Sequence, residues 1–416
     1  MSNLPLKGLK VIDFTRVLAG PHCAKTLLDL GADVIKVEPP GLGDISRYAA
    51  PGTPGKSHYF YQQNAGKKCI SVDLNFPEGQ EIVKELLKEA DIVTENFRPG
   101  TLAHFGLSYE EVMRINPGII YVSISGYGQN TSMSYRGAFA PTVHAEVGFI
   151  DRLMTHYEDR LTEPASDAFS HADVYTGLEA TIATLAALQH RQKTGHGQHV
   201  DVAMAATMMY VNERAHVDLG ETALNGEPAA LGATESPTLH FRDGQLVVIS
   251  ASPVFSPIFV RYCAMMRRND LRQDPRFLNA NLRRENLPTL LGIVQSWVYS
   301  FQSIDELEVH LTEAGLAVGE VRSSAEFGKS DWAEEWGATI AAIDDGGQEL
   351  KLPGQPWKFS ASKTTYHTRA ASVGEDNWAV LSSYGIDEAR YNELRKKGVV
   401  YSVIQQKKAA NPVEKN

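Results

Sequence analysis

The stretch KVIDFTRVLAGPHCAKTLLDLGADVIKVE, residues 10–38, decides the fold of this chain. Its two apolar runs, 10–14 and 32–38, are typical of buried strands, and Pro21–Leu30 between them has helical spacing. Parallel strands need a crossover connection, which is most often a helix. The stretch therefore predicts a strand, a helix and a second, parallel strand.

The same alternation continues along the next part of the chain. Apolar runs at Ile70–Leu74, Asp91–Phe97 and Ile119–Ser125 predict further buried strands, and Glu78–Ala90 has one apolar helical face. Alternating strands and helices predict an α/β fold, with a parallel sheet covered by helices on both faces.

The rest of the sequence predicts a long loop, a long helix and a second domain. Gly128–Ser170 lacks periodicity, whereas Asp173–Gln192 is helical, and the Asp-Gly turn between Thr238–Phe241 and Leu246–Ser250 predicts a hairpin. The predicted division is a large domain over 1–218, a linker over 219–235, a smaller α+β domain over 236–325, and a segment over 326–416 that returns to the large domain.

Composition restricts the class of function. The formal net charge of −10 argues against general nucleic-acid binding, and three cysteines in 416 residues form no disulfide framework or zinc pattern. Neither a signal peptide nor a long apolar span is recognised in the sequence. We therefore expect a cytoplasmic protein without membrane or nucleic-acid partners, whose polar tail after Tyr401 is frayed.

Two turns after predicted strands could hold an anion. The first, 15–21, leads into a helix with a proline in its first turn, where exposed N–H groups can bind an anion or an oxyanion. The second contains Asn96, Phe97 and Arg98, and the planar fork of an arginine suits a phosphate. Both segments are also compatible with ordinary turns between a strand and a helix.

Asp173 stands at the start of the long predicted helix. An aspartate at that point most often caps the helix by accepting backbone hydrogen bonds. It could instead point into a cleft as an ionised nucleophile. The residue types alone leave both interpretations open. His196 and His199 have no nearby carboxylate pair, so we predict no metal site there.

Taken together, the motifs resemble one family, the class III CoA-transferases, whose members include formyl-CoA transferase, carnitine CoA-transferase and alpha-methylacyl-CoA racemase. The resemblance extends over nearly the whole chain, in the family's order. It rests on VIDFTRVLAGP (11–21), LGADVIKVEPPGLGD (30–44), NAGKK (64–68), ENFRPG (95–100), ISGYGQ (124–129), ADVYTG (172–177), TGHGQHVDVAM (194–204), AGLAVGEV (314–321) and KLPGQPWKFS (351–360).

The resemblance implies a Rossmann-like large domain, a small domain and an interlocked homodimer. It implies that the protein transfers coenzyme A from an acyl-CoA to a small carboxylic acid. Coenzyme A is then part of the substrate, and no cofactor is bound permanently. Asp173 matches the catalytic aspartate, and Val17, Leu18 and Ala19 match the oxyanion loop. The groups expected to bind coenzyme A are Arg16, Lys67, Lys68, Asn96, Phe97 and Arg98, and those expected in the acyl or acceptor pocket are Phe139, Thr142 and His144.

Departures from the family pattern bear on specificity. Leu18 replaces the glutamine of formyl-CoA transferase, and Pro39 stands where that relative has an arginine that contacts coenzyme A. Phe139 stands where racemases have a histidine, which favours a transferase over a racemase. A catalytically silent CoA-binding protein is the third hypothesis. Thr142, His144 and Arg152 would suit a second carboxylate, so we expect a dicarboxylate such as succinate.

Overall fold

The chain forms two compact units. A computed structural model describes residues 3–53, 55–157, 169–213, 215–220 and 236–403. One unit comprises Met1–Glu213 and Trp332–Asn416, and the other comprises Arg214–Asp331. Nearly all of the predicted linker and of the predicted frayed tail lies outside the described residues.

The large unit begins as the alternating sequence pattern predicts. Its first elements are β1 (Lys10–Asp13), α1 (Ala19–Asp29), β2 (Asp33–Glu38), β3 (Gly52–Thr53), β4 (Lys56–Ser57), α2 (His58–Asn64), β5 (Lys68–Ser71), α3 (Pro77–Lys88), β6 (Ile92–Glu95), α4 (Tyr109–Ile115), β7 (Ile120–Ser125), α5 (Ala140–Glu146), α6 (Phe149–Tyr157), α7 (His171–Thr194), β8 (Gln198–Ala203) and α8 (Met204–Tyr210).

A parallel sheet forms the centre of this unit. In the described part of the chain it has six strands in the order β5-β2-β1-β6-β7-β8. Ile12 of β1 pairs with Ile35 of β2 on one side and with Val93 of β6 on the other, in parallel register. The order reverses at β1, where the chain first adds strands on one side and later on the other. In such sheets the crevice at this switch point is where ligands bind.

Helices cover both faces of the sheet, as predicted. On one face, buried side chains of α3 such as Val83 and Leu86 pack with Val380 and Leu394 from the C-terminal segment. On the other face, α1 and α7 pack together on the sheet and bury Cys23, Leu27 and Ala180. Strands buried on both faces explain why their sequences are almost continuously apolar.

The second unit has a three-stranded antiparallel sheet of its own, β11-β10-β9, among the residues described there. The predicted hairpin is formed by the pairing of Val247 with Leu239. The elements of this unit are α9 (Ala215–Asp218), β9 (Thr238–His240), β10 (Leu246–Ile249), α10 (Ser256–Met265), α11 (Ala280–Glu285), α12 (Leu287–Val298), α13 (Ile304–Glu313), β11 (Val318–Glu320) and α14 (Ser324–Phe327).

The chain then completes the large unit. The remaining elements are α15 (Asp331–Trp336), β12 (Thr339–Ile343), β13 (Glu349–Pro353), α16 (Asn377–Ser383) and α17 (Glu388–Lys397). Within the described ranges, no helix has both the length and the apolar character needed to cross a bilayer.

The prediction that Gly128–Ser170 is one irregular segment is wrong for its described part. Helices α5 and α6 form there, separated by Gly148 with φ +80°. Each helix is short, so neither contributes enough turns for a periodic pattern to stand out. Residues 158–168 lie outside the described residues.

Candidate active site

The loops that follow β1, β6 and β7 enclose a cavity of about 320 Å³ in the large unit. It therefore lies at the carboxyl edge of the parallel sheet, beside the switch point. The lining residues are Arg16, Val17, Ala19, Ile45, Asn96, Phe97, Arg98, Pro99, Ile124, Ser125, Gly126, Arg136, Gly137, Ala138, Phe139, Asp173 and Met204.

Asp173 lies in the first turn of α7 and faces this cavity. The residue at the N-cap is Ser170, so Asp173 does not occupy the capping position that the sequence left open. The backbone N–H groups of Ala19 and Ala140 instead favour the charged form of its carboxylate. These are the first residues of α1 and α5, so two other helix N-termini are directed at the same carboxylate.

Burial sets the acidity of this group. It raises the pKa of the Asp173 carboxyl to about 6, while the hydrogen bonds from Ala140 and Ala19 act in the opposite direction. At neutral pH the group is therefore mostly ionised, yet more basic than an exposed aspartate. A carboxylate in this state is suited to attack an electrophilic carbon.

Small residues bring α7 close enough to α1 for this contact. A Cβ atom on Gly177 would lie 2.6 Å from the Ala19 carbonyl oxygen, so only glycine allows this separation. The imidazole of His144 holds the other side of the first turn, because its Nε2 accepts the Ala172 N–H at 3.0 Å. Asp173 is therefore positioned from two directions.

Three arginines line the same cavity as Asp173. Arg16 lies over the Phe97 ring at 5.0 Å, and its backbone is bonded on both sides by the Asn96 amide at 2.8 Å. In the part of the chain that the structure describes, the Arg98 side chain has no ion pair or hydrogen bond. Arg136 pairs with Glu146 at 2.6 Å on the surface. The described lining of the cavity thus carries three arginines and one carboxylate.

Arg136 was missed in the sequence. It follows β7, whose carboxyl end borders the switch point, and the loop rule that drew attention to Arg98 applies to it equally. The segment around Arg136 has no regular spacing of apolar residues, so nothing in the sequence was a reason to place Arg136 at a site. Its side chain lies over the Tyr127 ring at 5.2 Å.

The structure brings together most of the predicted site residues. The cavity is lined by Asp173, Val17, Ala19, Arg16, Asn96, Phe97, Arg98 and Phe139. Leu18 is buried beneath the loop as the N-cap of α1, so it can contribute only its backbone.

Lys67 and Lys68, both predicted to bind coenzyme A, do not line this cavity. Lys67 is 3% exposed, and its amine donates to Asp13 at 2.9 Å, to Asn64 at 2.9 Å and to the Pro21 carbonyl at 3.1 Å. Burial lowers the pKa of Lys67 to about 8, against the charge of Asp13. Lys68 pairs with Asp33 at 2.8 Å at the opposite end of the strands. Neither lysine lines the cavity, because the first serves the fold and the second faces away.

Two residues predicted for the acyl or acceptor pocket, Thr142 and His144, are also absent from the cavity lining. The Thr142 hydroxyl bonds the Phe139 backbone at the start of α5, and His144 is 1% exposed. Neither these residues nor Arg152 line the cavity, so they do not face an acid bound there. His144 contributes through the helix that it holds.

In the His196–His199 segment, His199 contacts neighbouring side chains of the fold. His199 lies 2.9 Å from the Ser123 hydroxyl and stacks on Tyr109 at 5.0 Å between ring centres. Over the described ranges, no cluster of three or more His, Cys, Asp or Glu side chains is arranged to hold a metal ion.

The acidity of Asp173 predicts a pH-dependent cost to stability. Its folded pKa of about 6 lies above the ordinary 3.8, so ionisation destabilises the fold as pH rises from about 4 to about 7. We expect the stability of Asp173→Asn relative to the parent to increase over this window by about 2–3 kcal/mol. Urea denaturation of both proteins at pH 4 and pH 7 measures this, since all other groups cancel. A constant difference would contradict it.

Comparison with known proteins agrees with this geometry. The sequence profile of CoA-transferase family III matches residues 6–377. The chain belongs to this family. The resemblance found in the motifs is therefore confirmed.

Several family III relatives are similar over almost their full length. The succinyl-CoA–D-citramalate CoA-transferase of Chloroflexus aurantiacus is 30% identical over 95% of this chain and 98% of its own. The succinyl-CoA–L-malate CoA-transferase beta subunit of the same organism is 31% identical over 96% and 99%. A crystal structure of a CAIB/BAIF family protein from Brucella suis matches with a TM-score of 0.74 and 30% identity, over 92% of this chain and 100% of that one. The α/β fold predicted from sequence is confirmed.

Proposed function

We propose that this family III protein moves coenzyme A from an acyl-CoA to a free carboxylic acid, with Asp173 as the covalent nucleophile. The observation that carries the proposal is an ionisable carboxylate at the cavity wall, held by the N–H groups of Ala19 and Ala140. These groups do not seal it from the cavity. A carboxylate bonded only within its own helix would not support this chemistry.

The reaction proceeds in four exchanges that conserve the thioester's activation. An Asp173 oxygen attacks the acyl-CoA carbonyl, the C–S bond breaks, and an acyl-aspartyl anhydride and CoA thiolate form. The thiolate attacks the aspartyl carbonyl, which releases the donor acid and leaves an aspartyl-CoA thioester. The acceptor carboxylate displaces the thiolate to give a second anhydride. Thiolate attack on the acceptor's acyl carbon then forms the new acyl-CoA and frees Asp173.

Each exchange passes through an oxyanion and moves no proton. What the enzyme must supply is a set of donors already aimed at that charge. The N–H groups of Ala19 and Ala140 are such donors, because they meet the reacting carboxylate. Arg16 and Arg98 add positive charge at the cavity wall and suit the phosphates of coenzyme A.

The pocket favours a transferase over a racemase. Exchange of a Cα proton between two faces needs two bases on opposite sides of the substrate. Among the described residues that line the cavity, Asp173 is the one acid–base group besides arginines, and Phe139 stands at its wall. The lining therefore supplies a nucleophile but no second base.

For the acceptor or donor we propose a dicarboxylic acid. Arg136 is the arginine best placed for a distal carboxylate, since its present partner Glu146 is 41% exposed at the side chain and such surface pairs are weak. The two Chloroflexus relatives bear names that pair succinyl-CoA with a dicarboxylic acid, citramalate or malate, which supports this class.

A CoA-exchange assay tests both parts. With succinyl-CoA as donor, we expect exchange into dicarboxylic acids, and Arg136→Ala should lower kcat/KM for them by about tenfold or more while affecting acetate little. The matched control is Glu146→Gln, which removes the competing surface partner and keeps Arg136. Exchange without any preference for dicarboxylates would overturn the substrate class. Absence of exchange with every donor and acid would overturn the transferase.

We also propose self-association as a homodimer. Helix α7 presents Leu178, Ile182 and Leu185 to solvent at 39%, 58% and 37% exposure, and α8 adds Tyr210 at 81%. An apolar stripe of this kind usually marks an interface. Light scattering should give twice the chain mass of 45.7 kDa, and a monomer would contradict the proposal.

Free, buried thiols at all three cysteines support a reducing cytoplasm as the place of action.

A further inference from the structure

The oxyanion loop contains a backbone conformation that its residue disfavours. Val17 has φ +67°, in the left-handed region, where a β-branched side chain is a clear outlier. Val17 lines the cavity two residues before Ala19. Such conformations persist only where the surroundings enforce them, and they concentrate at functional sites.

Side chains from elsewhere in the sequence bond the peptide groups around this residue. Asp13 accepts the Thr15 N–H at 2.9 Å, and Lys36 donates to the Thr15 carbonyl. Asn96 bonds both the N–H and the carbonyl of Arg16 at 2.8 Å. Asp44 accepts the Val17 N–H through both oxygens, at 3.2 and 3.3 Å. We call these four side chains, Asp13, Lys36, Asp44 and Asn96, the loop clamp.

The centre of the loop clamp is a buried ion pair. The Lys36 amine lies 3.1 Å from Asp44, with side chains 1% and 0% exposed. Burial opposes the charge of Asp44, but the field of Lys36 and bonds from Ser46 bring its pKa down to about 2. Buried pairs of this kind are costly to desolvate and are weak contributors to stability. Stability therefore does not explain why this pair lies beneath a strained loop.

We propose that Asp44, paired with Lys36, is a positioning residue that holds Val17 in the left-handed conformation and so directs the Ala19 N–H at Asp173. The inference rests on the proposed function, because an aimed N–H matters only if Asp173 reacts. Asp44 does not touch the substrate. It acts through the Val17 N–H, and the strained residue turns the chain into the start of α1.

The substitution Val17→Gly distinguishes two roles of Asp44: enforcing the backbone conformation of Val17, or only stabilising the fold. Glycine adopts a positive φ without strain, whereas alanine retains a Cβ atom and most of the penalty. If Asp44 serves to enforce the conformation, the loop of a Val17→Gly protein needs Asp44 less. Val17→Ala is the matched control, since it shortens the side chain without that freedom.

The kinetic experiment measures the rate of acyl capture by Asp173 at saturating acyl-CoA. We expect Asp44→Asn to lower this rate by about tenfold or more with Val17 or Val17→Ala, but by less than about threefold with Val17→Gly. The dissociation constant for coenzyme A should change little in any of them. Equal losses in all three backgrounds, or a loss explained by weaker binding, would overturn the proposal.

A stability measurement tests the same inference without activity. With Asp44 in place, Val17→Gly should melt at a higher temperature than Val17→Ala, because the left-handed conformation is enforced. With Asp44→Asn the loop relaxes and this advantage should vanish. An unchanged advantage would overturn the inference. If the melting advantage of Val17→Gly depends on Asp44 but the protein shows no acyl capture, the proposed function is overturned and the role of Asp44 in the loop still stands.

We expect the Asp44→Asn protein to fold, because Lys36 keeps other carboxylates nearby when Asp44 loses its charge. The Lys36 amine also feels the charges of Asp13 and Glu38, so it retains carboxylates nearby. Should the single variant fail to fold, Lys36→Met combined with Asp44→Asn removes both charges and is compared in the same three backgrounds. The same pattern of losses is expected from it, and equal losses would again overturn the proposal.

Discussion

Asp173→Ala should lower the rate of CoA exchange by about a thousandfold or more, because among the described residues of the cavity wall no other group can form the anhydride. Asp173→Asn should lose as much, since its amide keeps the shape of the side chain but is a poor nucleophile, and its NH2 group cannot accept from a backbone N–H. Binding of coenzyme A should persist in both, since Arg16 and Arg98 are untouched. Exchange assays together with calorimetric titration of coenzyme A measure the two quantities separately.

The matched control for this loss is Glu179→Gln, a carboxylate on the same helix that does not line the cavity. It should exchange coenzyme A at a rate close to the parent's. An Asp173→Ala protein with rates within about tenfold of the parent would remove the residue from the nucleophile's role.

Gly177→Ala should disable the enzyme through a single added methyl group. A Cβ atom there would lie 2.6 Å from the Ala19 carbonyl oxygen and 3.0 Å from His22 Cβ, so α7 must move away from α1. Asp173 lies one turn earlier on α7, and Ala19 supplies its N–H. We expect a loss of about 1–3 kcal/mol in stability and about a hundredfold in exchange rate.

Gly292 provides the comparison for this substitution. It lies within α12, and a Cβ atom there would meet nothing within 4 Å. Gly292→Ala should therefore stabilise the protein by about 0.5–1 kcal/mol and leave exchange unchanged. Thermal melts and exchange assays on both variants decide the matter. Similar behaviour of the two would mean that the close approach of α1 and α7 is not required.

The architecture could be predicted because parallel strands that are buried on both faces have nearly continuous apolar sequences. Residues such as Ile12, Ile35 and Val93 pair in register and are shielded on both faces, so few other sequences would serve. The sequence predicts the start of α7 two residues late, at Asp173, since aspartate is a common cap and the residues before it carry no apolar pattern. That small difference in the helix start decides whether the carboxylate caps its own helix.

Charge was harder to assign than hydrophobicity. Lys67 and Arg98 look alike in a sequence, as cations in polar turns, yet one is buried against Asp13 and the other borders the cavity. Only the packing separates them, because the partner of Lys67 lies on a strand distant in sequence. The conformation of Val17 was invisible for the same reason, since the groups that enforce it come from several elements.

The most direct test of the account is to find the atom that bonds to the acyl group. The protein is incubated with succinyl-CoA, the reactive species is trapped with hydroxylamine or borohydride, and the modified peptide is identified by mass spectrometry. We predict modification at Asp173, and none in Asp173→Ala. Modification of another residue, or of the Asp173→Ala protein to the same extent, would contradict the account.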